Sequence, residues 1–224
     1  MKQKVSLVTI AMALAMSWVP AQAQTLDSLL RPVEHLLTRA PKQVNHFTRA
    51  KYQSDVGEGV SEQHAFEPGA TWDCGFSPEG GASSRVIRAI NEVRTRPGND
   101  ATILVAAYAF TSLPIARALI AAHDRGVKVA VVADATENRK PASKVRMLME
   151  SGVAVRFDNR LQMLHHKFLV LDGTAVETGS FNFTKAAASE QHAENACVFR
   201  NSPQMAATFT GAWQRLWRES DPAS

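Results

Sequence analysis

The sequence predicts a single α/β domain, an α/β/α sandwich around a mixed, largely parallel sheet whose parallel part lies in its first half. Three observations predict it. Residues 102–108 (TILVAAY) and 127–133 (VKVAVVA) are nearly continuous apolar runs, the pattern of strands buried on both faces. Each is followed by a stretch of helical periodicity that stops at a glycine, Gly126 and Gly152. Later, two apolar runs flank Asp172-Gly173, a strong hairpin signal that makes the second half antiparallel.

In chain order, the first residues stand apart from the domain. Lys2 and Lys4 precede an apolar run over 5–19, and Ala21-Gln22-Ala23 is a small-x-small cleavage site. Residues 1–23 read as a secretory signal peptide cut after Ala23, which implies a periplasmic or secreted protein. The run is short for a span of about 20 residues, so no stable membrane span is expected after cleavage. Loss of the two lysines takes the formal charge from +4 to +2. Bulk charge then does not establish nucleic-acid binding; a local patch has to.

Residues 24–70 form an extension. Leu26, Leu29, Leu30, Val33, Leu36 and Leu37 recur at helical spacing, and Arg31, Arg39, Lys42, Arg49 and Lys51 make the segment basic. This amphipathic helix is expected to pack on the body of the protein or on a partner subunit; contact with a membrane surface or nucleic acid is the alternative. Residues 53–69 are polar, carry three glycines and read as a linker.

The catalytic domain is expected over 71–224. Residues 71–76 (TWDCGF) are a short strand and SPEGG a turn. A helix over 84–96 stops at Pro97-Gly98, and one over 112–125 has Pro114 in its first turn. A helix over 141–151 leads to a third strand, 153–157. After the hairpin, a strand over 194–199 and a helix over 203–218 close the domain. In that last helix Ala206, Phe209, Trp213 and Leu216 share a face, which reads as core. Cys74 and Cys197 lie in expected strands; either a disulfide or two buried thiols fits them.

The chemistry is concentrated in residues 165–182, HHKFLVLDGTAVETGSFN, which read H-x-K-x4-D-x6-G-S-x-N. Strand alternation places His165, Lys167, Leu169 and Leu171 on one face, so a nucleophile or base stands beside a fixed positive charge. The hairpin returns Gly179, Ser180 and Asn182 to the same end. Gly179 permits close backbone approach, while Ser180 and Asn182 supply neutral hydrogen-bonding groups. A lone His-x-Lys is usually an exposed edge and a lone Asp-Gly only a turn; the combination is specific.

These residues resemble the signature of the phospholipase D superfamily. TGSFNFTKAA and SPEGG further resemble its small, single-motif bacterial endonucleases, over about residues 72–217. The resemblance implies that two copies of the motif build one site. This chain carries one copy, so a homodimer with a shared active site is expected. One His165 would attack phosphorus and form a phosphohistidine; the other would protonate the leaving oxygen and then activate water. Lys167 and Asn182 would hold the non-bridging oxygens. Ser180 would bind phosphate or fix the loop, and Asp172 would support the site. Glu194, in preference to Glu190, would orient His165. No cofactor or metal is expected. A metal set of His165, His166, Asp172 and His192 is the rival, disfavoured by the adjacent lysine and by spacing that matches no zinc pattern.

Nucleic acid and phospholipid both contain the bond. For nucleic acid, Arg139, Lys140 and Lys144, with Arg146, follow the 127–133 strand at its carboxyl end, where ligands bind α/β sheets. Arg156, Arg160 and Lys185 are candidates to extend this patch. For phospholipid, Leu161, Met163 and Leu164 precede the signature and could line an apolar rim. A nucleic-acid-binding module without turnover is the third reading, weakened because every signature position is filled.

Overall fold

The computed structural model describes residues 64–96, 100–189 and 191–223. The expected signal peptide, the amphipathic segment, most of the linker and Glu190 lie outside the described residues.

The elements are β1 (Thr71–Ser77), α1 (Gly81–Glu92), β2 (Thr102–Ala107), α2 (Leu113–Asp124), β3 (Lys128–Asp134), α3 (Ala135–Asn138), α4 (Val145–Glu150), β4 (Ala154–Asp158), β5 (Lys167–Leu171), β6 (Ala175–Gly179), β7 (Glu194–Arg200), α5 (Pro203–Glu219) and β8 (Asp221–Pro222). They form one mixed sheet in the order β1-β7-β6-β5-β2-β3-β4-β8. Parallel pairing joins β2, β3 and β4. The other five pairings are antiparallel, so the sheet is mixed as expected but not largely parallel, because the hairpin and the β7 and β8 returns outnumber the crossovers.

Period-two alternation splits the apolar residues between two cores. Ile103, Val105, Leu169 and Leu171 face the helices α1, α2 and α4, meeting Val86, Ile90, Leu119 and Leu148. Leu104, Ala106, Phe168, Val170 and Val176 face α5 and meet Ala206, Trp213, Leu216 and Trp217. Each such Leu, Ile or Val contributes about 1.5–3 kcal/mol on burial. The aromatic stripe of α5 is core, as expected. Trp213 donates its ring N–H to the Val105 carbonyl at 2.9 Å, and Phe209 meets the Phe168 ring at 5.0 Å.

The boundaries moved where side chains found other partners. α1 starts at Gly81, three residues before its expected start, because Gly80 closes the turn at φ 78° and the helix start lies directly on β1. A Cβ on Gly75 would stand 2.1 Å from the Gly81 carbonyl oxygen. α4 starts at Val145, four residues after its expected start, because the Lys144 N–H and the Ser143 hydroxyl donate to the Phe110 carbonyl (2.8 and 3.3 Å). α3 is new; the Asp134 carboxylate caps it, accepting from the Glu137 N–H at 2.9 Å. β8 is also new and pairs with β4.

Cys74 and Cys197 are register partners between β1 and β7, with Cα atoms 4.0 Å apart, and they are bridged. Of the two readings open from the sequence, the disulfide holds. Its sequence separation of 123 residues corresponds to about 5 kcal/mol in the chain-entropy description. Residues just before Thr71 pack on the same edge. Phe66 stacks on Phe199 at 6.2 Å, and Asn201 Nδ2 donates to the Gly69 carbonyl at 3.1 Å.

Candidate active site

Strand pairing brings the carboxyl ends of β2, β3 and β6 and the amino ends of β5 and β7 to one edge of the sheet. The signature residues His165, Lys167, Gly179, Ser180 and Asn182 lie along that edge.

β5 begins at Lys167, so His165 precedes the strand, yet the alternation continues through it. The Tyr108 N–H donates to the His166 carbonyl at 3.0 Å, which adds a rung between the ends of β2 and β5. His166 turns to the α5 side, its ring 5.6 Å from that of Phe168. Burial lowers its pKa, helped by the positive charges of Lys167, His165 and Arg215. Lys167 turns the other way and is only 8% exposed. Its ammonium donates to the His165 carbonyl at 2.7 Å and stands 5.4 Å from the centre of the Tyr108 ring. Burial lowers the Lys167 pKa, and the Glu194 charge opposes that shift. The His165 ring is exposed and meets the Tyr108 ring edge-on, centroids 4.6 Å apart.

Two buried carboxylates fix the loop leading into His165. Asp134 and Asp158 are register partners at the ends of β3 and β4. Asp134 accepts from the Leu164 N–H at 3.0 Å, and Asp158 accepts from the Arg160 and Leu161 N–H groups, each at 3.0 Å. Leu164 itself is buried.

On the returning strand, a Cβ on Gly179 would stand 2.1 Å from the Asn195 carbonyl oxygen, so only glycine fits. Ser180 clamps the loop. Its hydroxyl accepts from the Asn195 N–H at 3.0 Å, and its own N–H donates to Asn195 Oδ1 at 3.4 Å. Asn182 lies between Phe181 and Phe183, both sunk in the core. Its Oδ1 is buried and has no hydrogen-bond partner among the described residues. A buried, unpaired amide oxygen costs free energy until a donor arrives. The Phe183 carbonyl accepts from Thr111 and Ser112, both at 2.9 Å, and so ties this loop to the one after β2.

One expected site residue, Asp172, stands elsewhere. Asp172 is at the far end of β5, about 16 Å from Lys167 along the strand. It adopts φ 50° in the hairpin turn, and its N–H donates to the Thr102 carbonyl at 2.8 Å. Burial raises its pKa, opposed by a hydrogen bond from the Thr102 backbone to the carboxylate and by the Arg96 charge. Its part is in the turn. Glu194 does reach the site edge, but β7 is two strands from β5, about 10 Å away. Its carboxylate lies 3.6 Å from His192 Nδ1, and its charge acts on Lys167; the ring against His165 is Tyr108. The proposed metal set is likewise dispersed, with His166 on the opposite face and Asp172 at the opposite end.

Two of the expected cations, Lys144 and Lys185, are tied through their backbones to the loop after β2. Lys144 and Lys185 donate their N–H groups to the Phe110 carbonyl (2.8 Å) and the Thr111 hydroxyl (3.2 Å). Lys140 is paired with Glu137 at 2.6 Å, and Arg139 lies 5.4 Å over the Phe157 ring. Arg156 and Arg160 do not extend this patch. Arg156 donates to the Trp217 and Ser220 carbonyls beneath α5, and Arg160 pairs with Asp158 and Glu219.

The element that sequence reasoning missed is the loop over 108–112, to which the hairpin, α3 and α4 are all tied. Asn138 holds it from below. Its amide donates to the Tyr108 and Asp134 carbonyls, and its Oδ1 accepts from the Phe110 N–H and the Ser143 hydroxyl, each at 3.1 Å. The available signal was Tyr108, a lone aromatic closing an apolar run.

A family model described as "Cardiolipin synthase, PLD-like domain" matches residues 87–217, more than half of the chain. The chain is 37% identical over 127 residues to the mitochondrial cardiolipin hydrolase of Xenopus laevis, covering 57% of this chain and 60% of that protein. It is 30% identical over 138 residues to a phospholipase D of Rickettsia conorii, covering 62% of this chain and 65% of that protein. The matches thus span less than two thirds of each relative. Among solved structures, Nuc from Salmonella typhimurium, a phospholipase D family member, superposes with TM-score 0.64 at 38% identity, over 69% of this chain and 98% of that one. NucT from Helicobacter pylori shares the fold at 18% identity and TM-score 0.58. With all of the motif but Asp172 at one sheet edge, and with fold and sequence matched over most of the described chain, this protein belongs to the phospholipase D superfamily.

Proposed function

We propose that the protein is a phosphodiesterase that acts as a non-specific, metal-independent endonuclease on DNA, with RNA as the related alternative. The observation that carries this reading is a half-built phosphate cradle: exposed His165 and buried Lys167 at one edge, with Asn182 on the loop beside them. A second copy of the chain would supply the other half. In the first step the neutral imidazole of one His165 forms a bond to phosphorus, and the bond to the leaving oxygen breaks. The leaving oxygen takes its proton from the other His165. That second imidazole then removes a proton from water, the new P–O bond forms, and the P–N bond breaks. Lys167 supplies the positive charge for the non-bridging oxygens, so the scheme needs no metal.

Nucleic acid is favoured by the cations Arg139, Lys140, Lys144 and Lys185, which would follow a phosphate backbone without reading bases. The likeness to Nuc supports the same reading. The half-exposed Cys74–Cys197 bridge fits the exported location that the leader implies. One observation favours phospholipid instead: Leu161 and Met163, 47% and 49% exposed, stand just before His165.

Purified protein, incubated with plasmid DNA and a chelator in parallel with phosphatidylcholine and cardiolipin vesicles, separates the two. Nicking of the plasmid that persists with chelator and vanishes in His165→Ala supports the proposal. Intact DNA with released lipid headgroup overturns the nuclease reading. Loss of activity on chelation overturns the metal-free scheme, and full activity from a monomer overturns the shared site.

A further inference from the structure

We propose that Tyr108 is the positioning residue of the site: its ring sets the His165 imidazole and the Lys167 ammonium at their working separation. This rests on the reading of His165 as the reactive group.

Three contacts converge on Tyr108. Its ring edge meets the otherwise exposed His165 ring at 4.6 Å and 64°. The Lys167 ammonium lies 5.4 Å from the centre of the same ring, within cation–π range. The Tyr108 backbone N–H holds the His166 carbonyl at 3.0 Å, so main chain and side chain grip adjacent residues. Tyr108 is itself held from behind, because the Asn138 amide donates to its carbonyl and Asn138 is buried with both side-chain ends occupied.

The chemistry calls for such a wall. An exposed imidazole on a loop has several staggered rotamers, of which few point a ring nitrogen at a bound phosphorus. A flat neighbour 4.6 Å away narrows that choice, and misplacement by about 1 Å costs about a hundredfold in rate. The ring, and not the hydroxyl, does this work, because both contacts are to the ring.

The test compares Tyr108→Phe with Tyr108→Leu, with wild type and His165→Ala as references. Steady-state cleavage of plasmid DNA gives kcat and KM, and NMR of the His165 ring carbons reports its ring-current shift independently of turnover. Expected results are kcat within about threefold of wild type for Tyr108→Phe, and a fall of about thirtyfold or more for Tyr108→Leu with KM within about twofold. The His165 resonances should move in Tyr108→Leu and hold in Tyr108→Phe. Equal losses in the two variants would assign the effect to the hydroxyl and overturn the proposal. A kcat for Tyr108→Leu within threefold of wild type overturns it as well. If Tyr108→Leu does not fold, Tyr108→Met takes its place under the same criteria. An inactive wild type would instead overturn the nuclease reading, while the NMR comparison would still decide the role of Tyr108.

Discussion

The β5–β6 hairpin has two ends built from the same signature, and they do different work. At one end His165, Lys167, Ser180 and Asn182 face a shared edge, with a buried ammonium and an unpaired amide oxygen. At the other, Asp172 and Gly173 both take positive φ (50° and 62°), and Asp172 pairs with the Thr102 carbonyl. One end carries unmet polar demand, and the other is satisfied within the chain. A signature read as a single unit therefore mixes two kinds of constraint. One is on the groups available to a substrate, the other on the turn that returns the second strand in register.

The largest expected effect tests the reactive end. His165→Ala should lower turnover by at least about 10⁴-fold while changing stability by less than about 0.5 kcal/mol, since the ring is exposed. Plasmid cleavage and urea unfolding check the two halves of that statement. Gly179→Ala comes next. The added methyl would meet the backbone of Asn195 at 2.1 Å, where nothing can swing aside, so a loss of about 3 kcal/mol is expected together with most of the activity. A fully stable Gly179→Ala protein would show that β6 and β7 are less tightly joined than described.

Between the two ends sits Glu177, opposite Leu169 and Val198 and 1% exposed, with Oε2 unpaired among the described residues. Burial holds its carboxyl well above the ordinary value of 4.5. The folded protein keeps a proton that the unfolded chain releases near that value. Stability should then fall as pH rises from about 4.5 until the folded carboxyl itself ionises. Thermal melts of wild type and Glu177→Gln should diverge from pH 5 to pH 8, with the variant gaining; parallel curves would contradict this. The smallest effect belongs to the turn. Asn tolerates positive φ about as well as Asp, so Asp172→Asn should leave turnover within about threefold and stability within about 0.5 kcal/mol. A large loss of turnover in a folded Asp172→Asn protein would erase the distinction between the ends.

Much of this was legible in the sequence, for physical reasons. Residues of β2 and β3 are apolar on both faces because helices cover both, and a run of that kind has few other homes. Asp172-Gly173 announced its turn through the backbone conformations that these residues accept. Lys167 turns away from His166 and Phe168 because strand alternation is strict, and Phe181 and Phe183 anchor the loop that carries Asn182. Less legible were contacts that depend on distance across the sheet. The separation of Glu194 from β5 follows from β6 lying between them, which no local spacing encodes. Tyr108 and Asn138 are 30 residues apart and meet only because β2 and β3 are neighbours. The start of α4 moved because the carbonyl that claims Lys144 and Ser143 belongs to Phe110, remote in sequence.

The bridge between Cys74 and Cys197 closes a circuit around nearly every element that builds the site, from α1 through β6. A protease that severs one loop inside that circuit does not release a fragment, because the two pieces remain one covalent molecule. A nicked sample should run at full size on a non-reducing gel and separate only when a thiol is added. The lifetime of the enzyme after nicking would then be governed by the reductant in its surroundings.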